Sequence, residues 1–437
     1  MKRLALAVLA LALAACSGPA PDPSTAYGAE PQLPAPESGP LPTINTARVV
    51  GWADGAAPTA PDGFAVTRFA QNLAHPRWLY VLPNGDVLVA ESSTRPAPGG
   101  GIVNWIRNQV QRNAGALAPS ADRITLLRDS DGDGDVDARH VFAEGLNQPF
   151  GMVLVGDYLY VGNTDAVVRF RYTPDSVRAP GRPEIVLELP YHAADNGHWT
   201  RNLIASADGS KIYVSVGSAS NIGDHGMEAE EGRAAIWEFN PDGSEARVFA
   251  TGLRNPVGMG WAPETNALWV AVNERDMLGD NLVPDYITSV QDGGFYGWPY
   301  YYWGENRDER VEIPANVRLR APLAPDYALG AHTASLGLMF YASDRFPAHY
   351  QGGAFVGQHG SWNRSERVGY KVVFVPFAAG QPSGAVQDFL TGFLNERGEA
   401  QGRPVGVAAD RTGALLVADD VGNIIWRVAA SEPAASQ

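Results

Sequence analysis

The sequence predicts an all-β protein, a six-bladed β-propeller of four-stranded antiparallel blades. Three observations predict it. A short module recurs six times between residues 45 and 430. The 437 residues include 48 Gly, 33 Pro, 11 Trp and 16 Tyr, a composition suited to turn-rich β-structure. The module spacing, about 64 residues, accommodates a bare blade of roughly 40–50 residues and leaves length for insertions.

Each module reads as a polar residue, often followed by Pro, then a short apolar strand, a turn with Asp or Gly, and a second apolar strand. The first runs His75-Pro76-Arg77-Trp78-Leu79, Pro83-Asn84-Gly85-Asp86, Val87-Leu88-Val89-Ala90. The second runs Gln148-Pro149-Phe150-Gly151-Met152, Gly156-Asp157, Tyr158-Leu159-Tyr160-Val161. The third joins Arg201-Asn202-Leu203-Ile204 to Ile212-Tyr213-Val214 through Ala207-Asp208-Gly209. Asn255-Pro256-Val257-Gly258-Met259 and Leu268-Trp269-Val270-Ala271 form the fourth, and Thr333 to Tyr341 with Gly353-Ala354-Phe355-Val356 the fifth. Arg403-Pro404-Val405-Gly406-Val407 and Leu415-Leu416-Val417-Ala418 flank Asp410 to Gly413 in the sixth. Outer strands are expected at Val167–Phe170, Ala235–Phe239, Val372–Val375 and Ile424–Val428. The extra length lies in three insertions, Ser92–Asp122, Tyr172–Thr200 and Arg275–His332, and long loops on one rim commonly carry function. No second Pro-rich linker interrupts the chain, so residues 45–430 read as one domain rather than an array.

The beginning of the chain reads as an address. Lys2 and Arg3 precede an apolar run from Leu4 to Ala15, too short for a membrane span and right for a signal-peptide core. It ends Leu13-Ala14-Ala15-Cys16, which resembles a bacterial lipobox with Cys16 as the acylated residue. Residues 1–15 are therefore expected to be a lipoprotein signal, residues 16–44 a Pro/Ala-rich tether, and 431–437 a disordered tail. The expected location is the bacterial cell envelope, lipid-anchored and periplasm-facing. Ser17 after the Cys favours the outer membrane.

Acidic residues outnumber basic ones 48 to 33, a net charge of −15, which argues against a nucleic-acid partner. Cys16 is the only cysteine, so intrachain disulfides, Cys-rich zinc sites and a Cys-x-x-Cys-His haem attachment are excluded.

In a propeller, residues just before the innermost strands converge at one mouth of the central channel. They are Arg77, Gln148, His198, Arg254 with Asn255, Thr333 and Arg403. Arginines, amides and one imidazole make an anion-binding, hydrogen-bonding floor. A neutral His198 there is placed to accept a proton near pH 7, and His332 and His359 compete for that role. Glu274, Asp276 and Asp280, in an irregular loop, suit a hard cation, Ca²⁺ before Mg²⁺. Asp129, Asp131, Asp133, Asp135 and Asp137 stand at positions 1, 3, 5, 7 and 9 of an EF-hand-like loop with Gly134 at position 6. Position 12 is His140 rather than Glu, and the flanks read as strands, so a structural calcium and a bare acidic turn both remain open.

Gly63-Phe64, Arg77-Trp78-Leu79, Pro83 to Val89, Asn147-Gln148-Pro149-Phe150-Gly151, Gly252-Leu253-Arg254-Asn255-Pro256, Asp292 to Trp298 and His359-Gly360-Ser361-Trp362-Asn363-Arg364 together resemble the bacterial L-sorbosone dehydrogenase-like proteins. These belong to the pyrroloquinoline quinone (PQQ)-dependent sugar dehydrogenases, with soluble glucose, aldose sugar and fungal pyranose dehydrogenases. The resemblance spans roughly residues 60–430. It implies PQQ over the channel mouth with Ca²⁺ on the quinone, His198 as general base, Arg254 and Asn255 at the quinone, and Gln148 beside them. It also implies Thr333 and Arg403 on PQQ carboxylates, and a cofactor calcium on the loop Glu274-Arg275-Asp276, partly through backbone carbonyls. The family's cofactor-binding Lys has no counterpart, and Arg364 or His359 stands in its place. Arg77, Arg254, Arg364 and Arg403 suit the three carboxylates of PQQ. The implied activity is oxidation of an aldose, pyranose or sorbosone-like sugar. Electrons then pass to a separate periplasmic quinone or cytochrome. Two rival readings are a calcium-dependent lactonase, which would place acids at the axis, and a non-catalytic binding propeller, which would leave the arginines without a purpose. The run Trp298-Pro299-Tyr300-Tyr301-Tyr302-Trp303 suits either sugar stacking or packing between blades.

Overall fold

Runs of Val, Ile, Leu and aromatics bounded by Gly, Asp and Asn turns pair locally into antiparallel meanders, and six such meanders appear in the computed structural model. It describes residues 23–37, 43–96, 102–192, 196–315 and 317–431. Blade 1 comprises Pro76–Val81, Val87–Glu91, Arg123–Arg128 and Ala138–Ala143. Blade 2 comprises Met152–Val155, Tyr158–Gly162, Ala166–Arg171 and Glu184–Glu188, and blade 3 Leu203–Ala205, Ile212–Val216, Ala235–Phe239 and Arg247–Thr251. Blade 4 is Pro256–Trp261, Leu268–Val272, Pro284–Ser289 and Tyr327–Ala331, and blade 5 Ser335–Phe340, Ala354–Gln358, Lys371–Val375 and Gln387–Leu390. The six-bladed propeller read from the repeats is therefore the fold.

Blade 6 closes the ring in a way the repeats did not signal. Its first three strands, Pro404–Ala409, Leu415–Asp419 and Ile424–Ala430, come from the C-terminal end, and its outermost strand is Phe64–Ala70. Phe64 pairs with Ala430 and Val66 with Val428, so both ends of the propeller share one sheet. The expected outer strands are third in their blades. A fourth strand lies beyond each of them, supplied in blade 6 by Phe64–Ala70.

The core lies between blades. Phe150, Leu159, Val161, Ile124 and Leu126 fill the space between blades 1 and 2, and Phe355, Phe374, Val417 and Trp426 the space between blades 5 and 6. Inner strands crowd so closely that a Cβ on Gly337 or Gly357 would collide with the Val405 carbonyl of the next blade. The insertion Ser92–Asp122 carries a helix, Ile102–Asn113. The segment 290–326 leaves the far end of blade 4 and climbs back to the mouth, where Asp308 pairs with Arg275.

Cys16 and residues 1–15 lie outside the described residues, as do 432–437. The expected tether does not stand free where it is described. Tyr27–Gly28 adds a fifth strand to blade 4, with Tyr27 opposite Leu329, and Leu33 packs with Leu278, Leu282, Val283 and Tyr302. The Glu37 N–H donates to the Leu278 carbonyl at 2.9 Å, and Asn363 Nδ2 to the Thr43 carbonyl at 2.8 Å. Few apolar side chains suffice here because the partner surface is already folded.

Candidate active site

The chain turns abruptly before several inner strands. His75, Gln148 and His332 take positive φ angles of 57°, 48° and 63°, a region L-residues rarely occupy. These turns bring side chains from different blades to one mouth.

His198 is partly buried ahead of blade 3. Its Nδ1 lies 2.9 Å from the Ser218 carbonyl and 3.0 Å from Ser218 Oγ, whose own hydrogen goes to the Ser220 carbonyl at 2.6 Å. Both are acceptors, so Nδ1 carries the proton and Nε2 presents a lone pair. Among the described residues no partner takes that Nε2. Burial, then the Arg254 guanidinium, hold the imidazole well below its usual pKa, so it is neutral at pH 7.

Asn255 lies against His198: a Cβ on Gly217 would meet both side chains. The Asn255 Oδ1 is buried without a partner. Its neighbour Arg254 sits in a ring of oxygens. Nη1 donates to the Glu274 carbonyl at 2.6 Å and the Asn273 carbonyl at 3.2 Å, and Nη2 to Asn221 Oδ1 at 2.9 Å and Asp276 Oδ2 at 3.2 Å. Asp276 also holds His332. His332 Nδ1 is 3.2 Å from Asp276 Oδ1 and Nε2 is 2.8 Å from the Gly279 carbonyl, so both nitrogens face acceptors. Burial opposes the charge on His332, but the Asp276 bond, the Asp276 charge and the Gly279 carbonyl together outweigh it and raise the imidazole pKa. Burial likewise opposes the Asp276 charge, and His332 and Arg254 outweigh it and keep its pKa low.

A second cluster surrounds Asp420. Arg77 Nη1 donates to its Oδ2 at 2.5 Å, His359 Nε2 donates at 2.8 Å, and His75 Nε2 lies 3.3 Å away. Burial lowers the pKa of His75 to about 4 and that of His359 below its ordinary value, so Arg77 carries the charge that balances Asp420. The Arg77 guanidinium also lies over the Trp199 ring, 5.4 Å from its centroid. Arg403 stacks on Tyr370 at 4.9 Å and donates to its hydroxyl at 2.9 Å.

These contacts link blade to blade around the mouth. Trp199 touches Arg77, the Ser218 N–H donates to the Arg254 carbonyl at 2.8 Å, Asp276 joins Arg254 to His332, and the Gly360 N–H donates to the Thr333 carbonyl at 3.0 Å. His359 then reaches Asp420, and Asp420 reaches Arg77. The residues anticipated at the strand starts therefore converge on one mouth.

Several of them are already engaged. Thr333 Oγ1 donates to Asp285 Oδ2 at 2.9 Å, and Gln148 Nε2 to the Ser93 carbonyl at 2.8 Å. Arg364 Nη1 donates to the Asp280 carbonyl at 2.6 Å. The calcium candidates behave unequally. The Arg275 guanidinium turns away into a buried ion pair with Asp308. Burial pushes the Glu274 carboxyl up to about 8, so it is protonated at pH 7, and its Oε2 accepts the Arg275 N–H. Oxygen ligands remain in the backbone carbonyls of Asn273 and Glu274 and in the Asp276 carboxylate, and Arg254 bonds all three.

In the acidic turn of blade 1, carboxylates of Asp129, Asp131 and Asp137 come within 4.8 Å of one another. Asp133 accepts the Asp135 N–H at 2.8 Å, and Asp129 accepts the N–H groups of Gly132 and Gly134. The turn joins the third and fourth strands, so it lies at the end opposite the mouth.

Sequence reasoning missed Asp420, His75, Asn221, Asp285, Arg201 and Arg233. A signal for the first existed: second strands end at the mouth, and in five of the six blades the end or the next residue is polar, Glu91, Asn163, Asn273, Gln358 and Asp419.

Fold and site together define a class: six-bladed propellers with an arginine-rich mouth in which one neutral imidazole, His198, keeps a ring nitrogen unengaged by the described residues. The chain belongs to the TrAA12-like family, whose model matches residues 58–284 and 319–431. An uncharacterized protein of Borreliella burgdorferi is 28% identical over 302 residues, 66% of this chain and 77% of its own length. The aldose sugar dehydrogenase YliI of Escherichia coli is 35% identical over 121 residues, 26% of this chain and 29% of that protein. Among solved structures, the calcium structure of a Trichoderma reesei Carbohydrate-Active Enzymes Family AA12 protein superposes with a TM-score of 0.67 at 21% identity, covering 89% of this chain and all of that one. The holo PQQ domain of pyranose dehydrogenase from Coprinopsis cinerea gives 0.65 at 22% identity, over 85% and 97%. The resemblance read from the sequence is borne out at the level of family and fold.

Proposed function

We propose that this chain is a PQQ- and Ca²⁺-dependent dehydrogenase that oxidises an aldose, pyranose or related sugar. The observation that carries the reading is a neutral imidazole, its Nε2 without a partner among the described residues, at a mouth lined by guanidiniums. The residues fit the cofactor's chemistry. Among the described residues the Nε atoms of Arg77, Arg364 and Arg403 are buried donors without partners, groups that otherwise go unsatisfied at a cost of about 1–3 kcal/mol each and that suit carboxylate oxygens. Arg254 and Asn255 would hold the quinone edge, and Arg77, Arg364, Arg403 and Thr333 the carboxylates, with Gln148 and His359 alongside. When bound, PQQ supplies the acceptor for the hydride leaving the sugar carbon. His198 Nε2 takes the proton of the sugar hydroxyl, while Ser218 keeps the opposite nitrogen protonated and the ring aimed. Calcium would draw on the Asn273 and Glu274 carbonyls and the Asp276 carboxylate, hard oxygen donors suited to it, and its binding would require Arg254 to give up the bonds it makes to them.

Electrons leave to a separate quinone or cytochrome, since the chain has no Cys-x-x-Cys-His motif for a haem of its own. Acylation at Cys16, on the periplasmic face of the envelope and most naturally the outer membrane, suits such a transfer. The lactonase reading is not favoured, because Asp285 and Asp420 at the mouth are held by Thr333 and Arg77, which leaves Asp276 as the one acid there assigned to calcium.

The test is to express the chain without Cys16, add PQQ with CaCl₂, and follow dye reduction across a panel of sugars. His198→Ala is expected to lower kcat by about 10²–10⁴-fold, the worth of a positioned general base. Chelation is expected to weaken PQQ uptake, with calcium restoring it. Failure to take up PQQ sinks the proposal, and lactone hydrolysis without PQQ replaces it.

A further inference from the structure

Two arginines below His198 have no place in the mechanism so far. Arg201 is fully buried and Arg233 is 4% exposed. Among the described residues neither makes an ion pair with a carboxylate. They share three acceptors, the Pro190 and His198 carbonyls and Asn196 Oδ1. Arg201 Nη1 donates to the His198 carbonyl at 2.9 Å and the Thr200 carbonyl at 2.9 Å. Its Nη2 reaches the Pro190 carbonyl at 3.3 Å and Asn196 Oδ1 at 3.5 Å. Arg233 Nη2 donates to Asn196 Oδ1 at 2.9 Å, the His198 carbonyl at 3.1 Å and the Ser218 carbonyl at 3.4 Å. Its Nε donates to the Gly217 carbonyl at 3.0 Å, and Nη1 to the Pro190 carbonyl at 3.2 Å.

The carboxylates that act on them are Glu230 for Arg233 and Asp165 for Arg201, neither in an ion pair with its arginine; burying guanidiniums so weakly compensated costs several kcal/mol, which their placement has to offset. They join three strands of chain: residue 190, residues 196–201 and residues 217–218. Those segments carry His198 and the Ser218 carbonyl that binds its Nδ1.

We propose that Arg201 and Arg233 form a guanidinium clamp that positions the base, Arg233 setting the tautomer of His198 through the shared Ser218 carbonyl and keeping its imidazole unprotonated. This rests on His198 being the base. Where many catalytic histidines lean on a carboxylate that stabilises the imidazolium, this one leans on a carbonyl backed by a cation. The charged groups facing it are Arg254 from the start of blade 4, Arg233 from the loop after Val216, and Asp276 from the loop after Val272. Only the last favours protonation. Glu230 spends its carboxylate on the N–H groups of Ala219 and Ser220 at 2.7 and 3.0 Å, and so fixes the same loop from the other side. The consequence is a dehydrogenase whose base stays competent in mildly acidic surroundings.

The experiment uses the chain without Cys16, carrying ¹⁵N-labelled histidine, with His198 assigned by H198Q. Two-bond ¹H–¹⁵N spectra of the protein without cofactor report tautomer and titration. The native chain is expected to show the Nδ1–H form of His198 down to the lowest pH at which it stays folded. In Arg233→Gln the ring is expected to mix tautomers and to titrate at higher pH. Arg233→Lys keeps the charge and loses the fork, so titration stays near the native curve while the tautomers mix. In PQQ-loaded protein, Arg233→Gln should lower kcat about tenfold with KM little changed, and move the acid limb of kcat/KM to higher pH. Identical tautomer and titration in folded Arg233→Gln, or in Arg233→Lys and Arg201→Lys where Arg233→Gln does not fold, overturns the clamp. If the native chain oxidises no sugar, the spectra still decide the clamp, and it is the dehydrogenase reading that fails.

Discussion

At the scale of single residues, the mouth sorts three histidines by what their nitrogens face. His198 has a donor side fixed by Ser218 and an open Nε2; His332 has acceptors on both sides; His359 spends Nε2 on Asp420. The His332–Asp276 pair predicts a pH dependence of stability. The His332 pKa is raised, so its contribution is complete below about 6.5 and fades as pH rises through the folded value. The Asp276 pKa is lowered, so its contribution is complete above about 3.9 and is lost as pH falls through the folded value. Asp276→Asn should therefore cost roughly 3 kcal/mol near pH 5–6 and less at pH 9. Denaturant titrations at the two pH values check this, and equal losses would contradict it.

At the scale of elements, the N-terminal segment and the loops it touches form one unit. Leu33 lies in the cluster with Leu278 and Leu282, Glu37 binds the Leu278 carbonyl, and Asn363 ties Thr43 to the Met277 N–H. Leu278 is two residues from Asp276, so disturbing this packing should reach the mouth. Leu33→Asp is expected to destabilise by about 2 kcal/mol, the cost of a polar group against an apolar cluster. It should also speed amide exchange across residues 276–283, read by mass spectrometry. Unchanged exchange there would mean that the segment is merely laid on the surface. Its Pro-rich composition signalled a linker, because composition measures what a segment can bury alone and not what a folded neighbour offers it.

At the scale of the whole molecule, stability depends on closing the ring through blade 6. Trp426 sits at its centre, fully buried, with Nε1 donating to Asp419 Oδ2 at 3.1 Å and the Trp52 ring 5.0 Å away. Trp426→Ala should cost about 3–5 kcal/mol. The loss should appear as one cooperative unfolding transition in calorimetry, since the blade holds both ends of the chain. A separate early transition for blade 6 would show that the other five blades stand without it.

The propeller, its blade count and the guanidiniums and imidazole of the mouth were legible in the sequence. Hairpin patterning is local, and repetition exposes it six times over; the strand-start positions of Arg77, His198, Arg254 and Arg403 follow from the repeat alone. Asp420, Asn221 and the Arg201–Arg233 pair were not legible. Asp420 had only its place after a second strand to mark it, and nothing in the neighbourhoods of the others distinguishes them from ordinary turn or strand residues. Their partners lie on other blades or across long loops, so the electrostatics of the mouth arise only on ring closure. The same holds for the histidines. The sequence supplied three candidates for one base, and the choice among them rests on which nitrogen meets a carbonyl, a carboxylate or nothing, which only packing in three dimensions decides.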